Sequence, residues 1–281
     1  MTEEQRRWLL IHLNNNRGGG TNSGGDVIPP TSSNLIVQNW IDKITLDGYE
    51  YPSQAKVDIY TTAFDYGDAQ GLTTEIDLLG FLKVENQNLC KIPFIHSGGS
   101  SVRFLLISSP VFTANKGIKA GASGYIRTQW TEDTDGVKFV LGNGSQGIYT
   151  DSLVNQNAYI YGNVADNSEC GIQPKVLSGV AVCSTQNGDF STYPSASVAT
   201  PLGYTSGSIK SGTMKLYKNG VEIDSQVSGS NELSPYEDYA LTENAGGGPD
   251  FRYSEDLQFF YKGSGDIDQS KMNTFINLLL L

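Results

Sequence analysis

The chain has 281 residues, which is one large domain or two smaller ones and leaves room for a substantial hydrophobic core. Lys and Arg number 19 against 30 Asp and Glu, and the resulting net charge of -11 makes nucleic acid and anionic membranes poor partners. Charged residues are only 17% of the chain whereas glycine reaches 32 and tyrosine 15, a composition typical of a turn-rich β protein.

The cysteines indicate neither a disulfide framework nor a zinc site. Cys90, Cys170 and Cys183 are odd in number and lack C-x-x-C spacing, so we expect them to be reduced and buried. The apolar run from Trp8 to Ile11 is too short for a secretion signal, and the closing Leu278 to Leu281 run is too short for a membrane span. The sequence therefore predicts a protein made in the cytoplasm, with no membrane partner.

Residues 1–17 predict a short helix that is apolar over much of its circumference. Thr2 and Gln5 have the spacing of a capping box, and the apolar residues that follow are Trp8, Leu9, Ile11 and Leu13. Residues 18–33 form a Gly-rich linker that cannot hold this helix in a defined position. We interpret the four apolar residues as an anchor that docks on another protein. The alternative is a frayed terminus that folds onto its own domain.

Residues 34–91 predict a helical segment. Asn34 is placed to cap a helix that Gly48 ends, and Ser53 is placed to cap a second helix that Gly67 ends. A third, shorter helix is expected near Thr74 to Leu82. The apolar residues that define the first two helices are Ile36, Val37, Trp40, Ile41 and Ile44, then Val57, Tyr60 and Phe64.

From residue 92 to residue 281 the pattern changes to short runs separated by Gly, Asn, Ser and Asp, which is typical of a jelly-roll β-sandwich. A final helix is expected from Asp268. The predicted strands are Gly124–Trp130, Val137–Leu141, Gly147–Thr150, Ala158–Gly162, Val176–Ser184, Asp238–Thr242 and Leu257–Tyr261, and the helix buries Met272, Phe275, Ile276, Leu279 and Leu280. The predicted fold class is therefore mainly β, a jelly-roll sandwich with a helical N-terminal segment and a C-terminal helix.

The segment Met214 to Asp224 predicts a hairpin, because Asn-Gly between alternating strands favours a two-residue type I′ turn. This turn pairs Lys218 with Val221 and Leu216 with Ile223. We therefore expect one core face and one solvent face. The core face holds Met214, Leu216, Val221 and Ile223, and Lys215 pairs with Asp224 on the other face.

The order of these elements resembles bacteriophage virion proteins of the tail, fibre or head surface that carry a concanavalin-A-like (laminin-G-like) jelly roll. The resemblance covers roughly residues 34–281. It is carried by Asn39–Ile44 running into Asp47-Gly48, by Val111–Gly117, Gly121–Thr128 and Tyr217–Gly220, and by Phe259–Gly263 before the last helix. The family implies a place in the virion and no single receptor, and residues 1–33 match nothing in it.

Glycosidases also use this fold, so we compare the sequence with their carboxylate motif. Retaining enzymes place Glu-x-Asp and then a second Glu on one strand. Here Glu75-Ile76-Asp77 is followed by Leu79 and Gly80 where the second Glu belongs. We interpret the triplet as acidic residues at a helix N-terminus, and the sequence predicts no catalytic residue.

The sequence also lacks the residue patterns that nucleophilic catalysis and metal binding require. His12 and His96 accompany no G-x-S-x-G elbow, because Gly142–Gly147 and Gly121–Tyr125 both depart from that motif, and His96 is expected to hydrogen-bond backbone at a strand end. Oxygen ligands for calcium occur in Asp133–Gly136 and Asp266–Asp268, and neither segment completes a calcium loop. No metal or other cofactor is predicted.

Three functions remain in order of preference. The first is a structural virion protein, held to other virion proteins by residues 1–17 and displaying the jelly roll, with a homo-oligomer, most simply a trimer, formed through the apolar helix. The second is a carbohydrate-binding module that attaches to a host-surface glycan, and the third is a glycoside hydrolase. Glycan-binding residues stay unknown at this level, because tyrosines that stack on sugars and tyrosines of the core look alike in sequence.

Overall fold

The computed structural model describes residues 28–151, 153–165, 168–187, 193–227, 232–250 and 253–281. The predicted anchor Trp8, Leu9, Ile11 and Leu13 and most of the predicted linker lie outside these residues. The N-terminal helix therefore stays a prediction.

The described α-helices follow local sequence signals. They are α1 (Leu35–Asp47), α2 (Gln54–Ala69), α3 (Glu132–Asp135) and α4 (Gln269–Leu279). Asn34 caps α1 as predicted, since its side-chain oxygen accepts hydrogen bonds from the backbone N–H groups of Ile36 and Val37, and Gly48 ends the helix with a positive φ of 67°. Asp268 caps α4 in the same way.

The described strands form two nine-stranded sheets that face each other, and the predicted mainly β, jelly-roll-like sandwich is confirmed. Sheet A contains β1 (Ile76–Phe81), β2 (Ile95–His96), β4 (Val111–Thr113), β5 (Gly117–Lys119), β7 (Asn143–Thr150), β12 (Gly203–Lys210), β13 (Thr213–Lys218), β14 (Val221–Val227) and β18 (Leu257–Gly263). Its main path runs β14-β13-β12-β7-β18-β1-β2, and β5 joins at β18.

Sheet B contains β3 (Leu105–Ile107), β6 (Tyr125–Thr131), β8 (Tyr161–Ala165), β9 (Ser168–Gln173), β10 (Val180–Asn187), β11 (Ser195–Ser197), β15 (Glu237–Ala240), β16 (Glu243–Ala245) and β17 (Gly248–Asp250). Its main path runs β11-β10-β9-β8-β15-β6-β3. Pairing is antiparallel except between β16 and β8.

The structure has three layers, because side chains of sheet A contact sheet B on one face and helices on the other. Phe260 of β18 points between the sheets, where its ring lies 5.0 Å from that of Tyr161. Its neighbour Tyr261 points the other way and its hydroxyl lies 3.1 Å from Gln269 at the start of α4. The ring of Phe275 on α4 lies 5.3 Å from that of Phe64 on α2. Helices α2 and α4 therefore cover the outer face of sheet A, and the outer face of sheet B is the side of the sandwich opposite them.

Three predicted elements differ from the observed ones, and in the first of them pairing in the sheet replaces the predicted helix. The segment Thr74–Leu82 is not a helix: after a short 3-10 turn it forms β1, whose six residues are all buried between β18 and β2. Helix α2 continues past Gly67 to Ala69. The predicted strand Val137–Leu141 is a loop with a single bridge between Val140 and Asn143.

The Asn219-Gly220 turn is confirmed, with positive φ values of 49° and 80°, but the register beyond it is shifted. Lys218 faces Val221 as expected, and a bulge then places Leu216 opposite Asp224 and not opposite Ile223. Met214 and Leu216 are buried, Ile223 is half-buried and Val221 is exposed. The expected pairing of Lys215 with Asp224 is likewise wrong, because Lys215 forms its ion pair with Glu222 at 2.8 Å.

Candidate functional site: the outer face of sheet B

The acidic triplet Glu75-Ile76-Asp77 is not the N-terminus of an α-helix. Asp77 lies on β1 with 2% exposure. Its Oδ2 accepts three backbone N–H bonds, from Val137, Lys138 and Phe139, at 2.9, 2.7 and 2.8 Å. This carboxylate is a structural clamp on the loop after α3.

His96 occupies the position that the sequence predicts for it. Its Nδ1 accepts from the backbone N–H of Gly98 at 3.1 Å, which leaves Nε2 to donate to the carbonyl of Thr128 at 3.2 Å. Burial lowers the pKa of His96, so the ring is neutral in this environment. The interpretation as a strand-end histidine bonded to backbone is confirmed.

The two acidic segments considered for calcium are used for local structure. Asp135 accepts from the backbone N–H of Thr131 at 2.9 Å, Asp266 pairs with Lys210, and Asp268 caps α4. Within the described ranges, His, Cys, Asp and Glu side chains form no group of three that could hold a metal ion. Cys90, Cys170 and Cys183 are free thiols and buried, as predicted. Of the helices in the described part, none is long and apolar enough to cross a membrane.

The outer face of sheet B carries a row of residues that the register places side by side. The pairings align Arg127 of β6, Tyr239 of β15, Gly162 of β8, Gly171 of β9 and Ser184 of β10. Because alternate residues point to opposite faces of a strand, the neighbours Ile126, Asp238, Tyr161, Cys170 and Cys183 point into the sandwich. Gly162 has a φ of 139°, and a Cβ there would lie 1.8 Å from the carbonyl oxygen of Cys170, so this position requires glycine.

One side of the row combines stacked tyrosines with a charged pair. The rings of Tyr125 and Tyr239 lie 4.9 Å apart, and Tyr125 is half-buried whereas Tyr239 is 4% exposed. Beside them, Nε and Nη2 of Arg127 donate to Oε2 of Glu237 at 2.9 and 2.6 Å. The other Glu237 oxygen accepts from the backbone N–H of Gln129 at 2.5 Å. Tyr125 and Arg127 are therefore held in fixed positions at the surface.

The other side of the row is a cluster of a tyrosine and two carboxyl groups. The ring of Tyr159 lies over Gly171, where a Cβ would come within 2.5 Å of it. The Tyr159 hydroxyl donates to Glu169 Oε1 at 2.6 Å, and the Ser184 hydroxyl donates to the same oxygen at 2.9 Å. Oε1 of Glu243 would lie 3.1 Å from a Cβ on Gly171, and this oxygen has no hydrogen-bond partner among the described residues.

Burial sets the protonation of these two carboxyl groups. It raises the pKa of Glu243 to about 8, and the negative charges of Glu169 and Asp250 add to the rise. Burial also raises the pKa of Glu169, against the hydrogen bonds from Tyr159 and Ser184. Glu243 is therefore largely protonated at neutral pH, and its carboxyl can act as a hydrogen-bond donor.

This arrangement is suited to binding polar, ring-shaped molecules. A tyrosine ring offers a flat apolar surface, and the Arg127 guanidinium and Glu237 carboxylate offer hydrogen-bond groups in fixed directions. A pair of neighbouring carboxyl groups is also what glycosidases use. However, Glu169 and Glu243 are each only 4% exposed, beneath Tyr159, so a sugar on this face does not reach them in this conformation.

Sequence reasoning missed this face although part of its signal was present. The predicted strand Gly124–Trp130 already alternates apolar and polar residues, which separates Tyr125 and Arg127 from the core residue Ile126. What joins them to Tyr239, Gly162 and Gly171 is the pairing of strands that are far apart in the chain. No local pattern contains that information.

An open depression of about 850 Å³ lies elsewhere, in the helical layer. It is lined by Ile28, Pro29, Pro30, Thr31, Glu50, Tyr51, Pro52, Ser53, Gln54, Glu85 and Asn86. The Glu85 carboxylate in this depression accepts hydrogen bonds from the backbone N–H and the hydroxyl of Ser53 at 2.7 and 2.9 Å. The prediction that the Ser53 side chain caps α2 is therefore wrong, because that side chain bonds Glu85. This depression belongs to the packing of α2.

No protein-family model and no curated protein matches the chain. Among solved structures, domain 4 of AbnA, a GH43 extracellular arabinanase from Geobacillus stearothermophilus, in complex with arabinotriose, is similar at 16% identity and a TM-score of 0.44, covering 72% of this chain and 98% of that chain. The binding domain of botulinum neurotoxin serotype D is similar at 15% identity and a TM-score of 0.46, covering 72% of this chain and 51% of that chain.

A mutant sialidase of Trypanosoma rangeli that displays trans-sialidase activity is similar at 8% identity and a TM-score of 0.44, covering 80% of this chain and 39% of that chain. The chain thus spans about half of the neurotoxin structure and less of the sialidase. At these identities and scores no assignment to a family follows, and no argument about this chain rests on these likenesses.

Proposed function

We propose that the chain is a carbohydrate-binding module whose glycan lies on the outer face of sheet B. The observation that carries this proposal is the row from Arg127 through Tyr239 to Ser184, with Tyr125 stacked on Tyr239 at 4.9 Å and Arg127 fixed by Glu237. Tyr125 supplies the ring on which a sugar stacks. Arg127 and Glu237 supply hydrogen bonds to hydroxyl groups.

The charge of the molecule favours a neutral or cationic glycan over an acidic one. The chain carries a net charge of -11, and on the face itself Arg127 is paired with Glu237. An acidic polysaccharide would approach against this field. The ligand class that we propose is therefore a neutral host-surface polysaccharide.

Display of this face on a bacteriophage particle is the second part of the proposal. What supports it is the resemblance of residues 34–281 to virion jelly rolls, together with the position of Thr31. This residue exchanges backbone bonds with the Gln54 side chain at 3.1 and 3.0 Å, at the start of α2 in the helical layer. A chain tethered through residues 1–17 would then turn its glycan-binding face away from the tether. On this proposal the protein binds sugar without hydrolysing it.

The test is glycan binding by the full chain and two variants. Arrayed bacterial-surface polysaccharides identify a bound sugar, and titration calorimetry with that oligosaccharide measures the affinity. We expect Tyr125→Ala to weaken binding about tenfold, or about 1.4 kcal/mol, because the variant removes the exposed stacking ring. The matched control is Tyr217→Ala, a half-buried tyrosine of β13 in the other sheet.

Two results would overturn this proposal. One is the absence of binding to any polysaccharide by the full chain. The other is an equal loss of affinity in Tyr125→Ala and Tyr217→Ala, since that would place the sugar elsewhere. Release of reducing sugar by the full chain would contradict the non-catalytic part alone.

A further inference from the structure

Three ionisable side chains are closed inside the sandwich, between the sheets. Lys262 belongs to β18 of sheet A, Asp238 belongs to β15 of sheet B, and Glu132 begins α3 directly after β6. Lys262 Nζ lies 2.8 Å from Asp238 Oδ1 and also contacts Glu132 Oε1, and all three side chains are 0% exposed. We call these three residues the buried triad.

Aromatic rings surround the amine of the buried triad. The Lys262 Nζ atom lies 5.4 Å from the ring centre of Trp130, 4.9 Å from that of Phe139 and 5.7 Å from that of Tyr161. Such walls attract a cation, and they also keep water away from the charges. In surroundings of low polarity, neutral forms of amines and carboxyl groups are favoured over charged forms. At Lys262 the two neighbouring carboxyl groups outweigh burial and hold the pKa above its ordinary value.

The charges of the buried triad do not balance. It contains one ammonium and two carboxyl groups, and the ion pairs of the described residues bring no second cation to them. Burial raises the pKa of Asp238 to about 6, an effect that Lys262 opposes and Glu132 reinforces. Burial acts on Glu132 too, but the charge and hydrogen bond of Lys262 outweigh it and hold the pKa below its ordinary value. Asp238 is therefore the carboxyl that takes up a proton first, and Glu132 is the ionised carboxylate that is available to accept a proton from Lys262.

Hydrogen-bond donors point at both oxygens of Asp238. The Tyr161 hydroxyl donates to Oδ2 at 3.1 Å, and the Asn163 amide donates to Oδ1. The same Asn163 amide lies 3.0 Å from Glu132 Oε1, whereas its own Oδ1 has no hydrogen-bond partner among the described residues. Donors in these positions stabilise the negative charge that develops on a carboxyl oxygen when a nucleophile attacks its carbon.

We propose that Lys262 and Asp238 join in an intramolecular isopeptide bond that links sheet A to sheet B. The ammonium of Lys262 first gives a proton to Glu132, which leaves a neutral amine beside the protonated carboxyl of Asp238. The nitrogen then attacks Asp238 Cγ, the Nζ–Cγ bond forms, and the Cγ–OH bond breaks. The hydroxyl takes the second amine proton and leaves as water. One proton remains on the new amide and one remains on Glu132, so atoms and charge balance without an oxidant or cofactor.

The position of the buried triad favours this product over the ion pair. A buried ion pair loses the hydration of both charges, and its mutual attraction often fails to offset that loss. An amide carries no net charge, so the product removes two charges from the interior. The aromatic walls around the Lys262 side chain also keep water from hydrolysing the bond.

Mass spectrometry of the full chain tests the proposal without any variant. The denatured protein should be lighter than its sequence by the mass of one water molecule. After digestion with trypsin, cleavage after Lys262 should be absent, and one branched product should join residues 219–252 to residues 253–271 through Asp238 and Lys262. A full sequence mass with complete cleavage after Lys262 overturns the proposal.

Two variants and an internal control assign the roles. Lys262→Arg should restore the full mass, and Glu132→Gln should do so as well, because it removes the proton acceptor and keeps the shape. Bond formation in Glu132→Gln to the same extent as in the unchanged chain overturns the role of Glu132. Lys210 and Asp266 form a solvent-exposed pair of the same two residue types. Their linkage would contradict the requirement for a dry site, so cleavage after Lys210 must be complete.

Discussion

Glu243 is a carboxyl group whose ionisation opposes folding. Its side chain is 4% exposed, one of its oxygens lacks a hydrogen-bond partner within the described residues, and burial raises its pKa from the ordinary value of 4.5 to about 8. In the unfolded chain the same group titrates near its ordinary value. Between these two values the folded state holds more protons than the unfolded state.

The pH dependence of stability follows from that difference. Because the folded pKa is raised, the stabilising contribution of protonated Glu243 is complete below about pH 4.5 and disappears as the pH rises to about 8. We expect the free energy of unfolding to fall over this range, by ~1.4 kcal/mol for each unit of pKa difference as an upper bound. Urea unfolding between pH 5 and 8 measures it.

The variant Glu243→Gln separates this group from the others that titrate in the same range. Glu169, whose pKa burial also raises, contributes a slope of the same sign in both proteins. The difference in unfolding free energy between the two proteins should therefore shift in favour of Glu243→Gln as the pH rises. A difference that does not change with pH would show that Glu243 keeps an ordinary pKa.

Single residues with local roles were predictable from sequence, and those with distant partners were not. Asn34 and Asp268 cap helices through backbone groups two and three positions away, so their role is encoded within one turn. Glu243 and Asp77 depend on what the sheets bring to them. Asp77 was therefore assigned to a helix terminus, and Glu243 gave no signal at all.

At the scale of elements, Asp77 connects strand β1 to the loop after α3. One of its carboxylate oxygens accepts from three consecutive backbone N–H groups, those of Val137, Lys138 and Phe139, and Phe139 is fully buried. A loop that would otherwise leave these donors unsatisfied is fixed by one side chain of a neighbouring strand.

Removing this clamp should be costly. We expect Asp77→Ala to lower the free energy of unfolding by about 3 kcal/mol, because buried donors lose their acceptor, and Asp77→Asn to cost less because its amide oxygen still accepts. Urea unfolding curves give both values. Asp266→Ala, which breaks a pair that is about half exposed, serves as the control and should change stability by less than about 1 kcal/mol. Equal effects of Asp77→Ala and Asp266→Ala would show that the clamp contributes little.

The hairpin and β1 show where element prediction reaches its limit. Asn219-Gly220 specifies its turn through backbone conformation, and the turn was correct. The bulge between Leu216 and Tyr217 depends on how β13 also pairs with β12, and the predicted register failed there. The residues of β1 are buried on both sides, so they lack the alternation that marks a half-exposed strand.

For the whole molecule, we expect the three-layer core of the described residues to fold without the first 27 residues. Residues just after them form hydrogen bonds with the helical layer. The Ser32 hydroxyl bonds that of Thr61 at 2.6 Å and accepts from the backbone N–H of Asn34 at 3.1 Å. The boundary between dispensable and required residues therefore lies before Thr31.

Two truncated chains test this boundary and the proposed oligomer. A chain starting at Ile28 should keep the melting temperature of the full chain, whereas one starting at Ser33 should lose about 1 kcal/mol with the bonds of Ser32. In light scattering the full chain should be a homo-oligomer, most simply a trimer, and the Ile28 chain a monomer. A full chain that stays monomeric at high concentration would contradict a role of the N-terminal helix in assembly.

The place of β18 in sheet A also determines when the protein can fold during its synthesis. This strand is the last of the described strands in chain order, yet it lies between β7 and β1 near the middle of the sheet. Until the ribosome has released residue 263, β1 and β7 have no strand to join them, and Phe260 and Lys262 are missing from the space between the sheets. Sheet A therefore closes only once residue 263 has left the ribosome, through a long-range pairing that folds slowly, and the buried triad is complete only when that pairing forms.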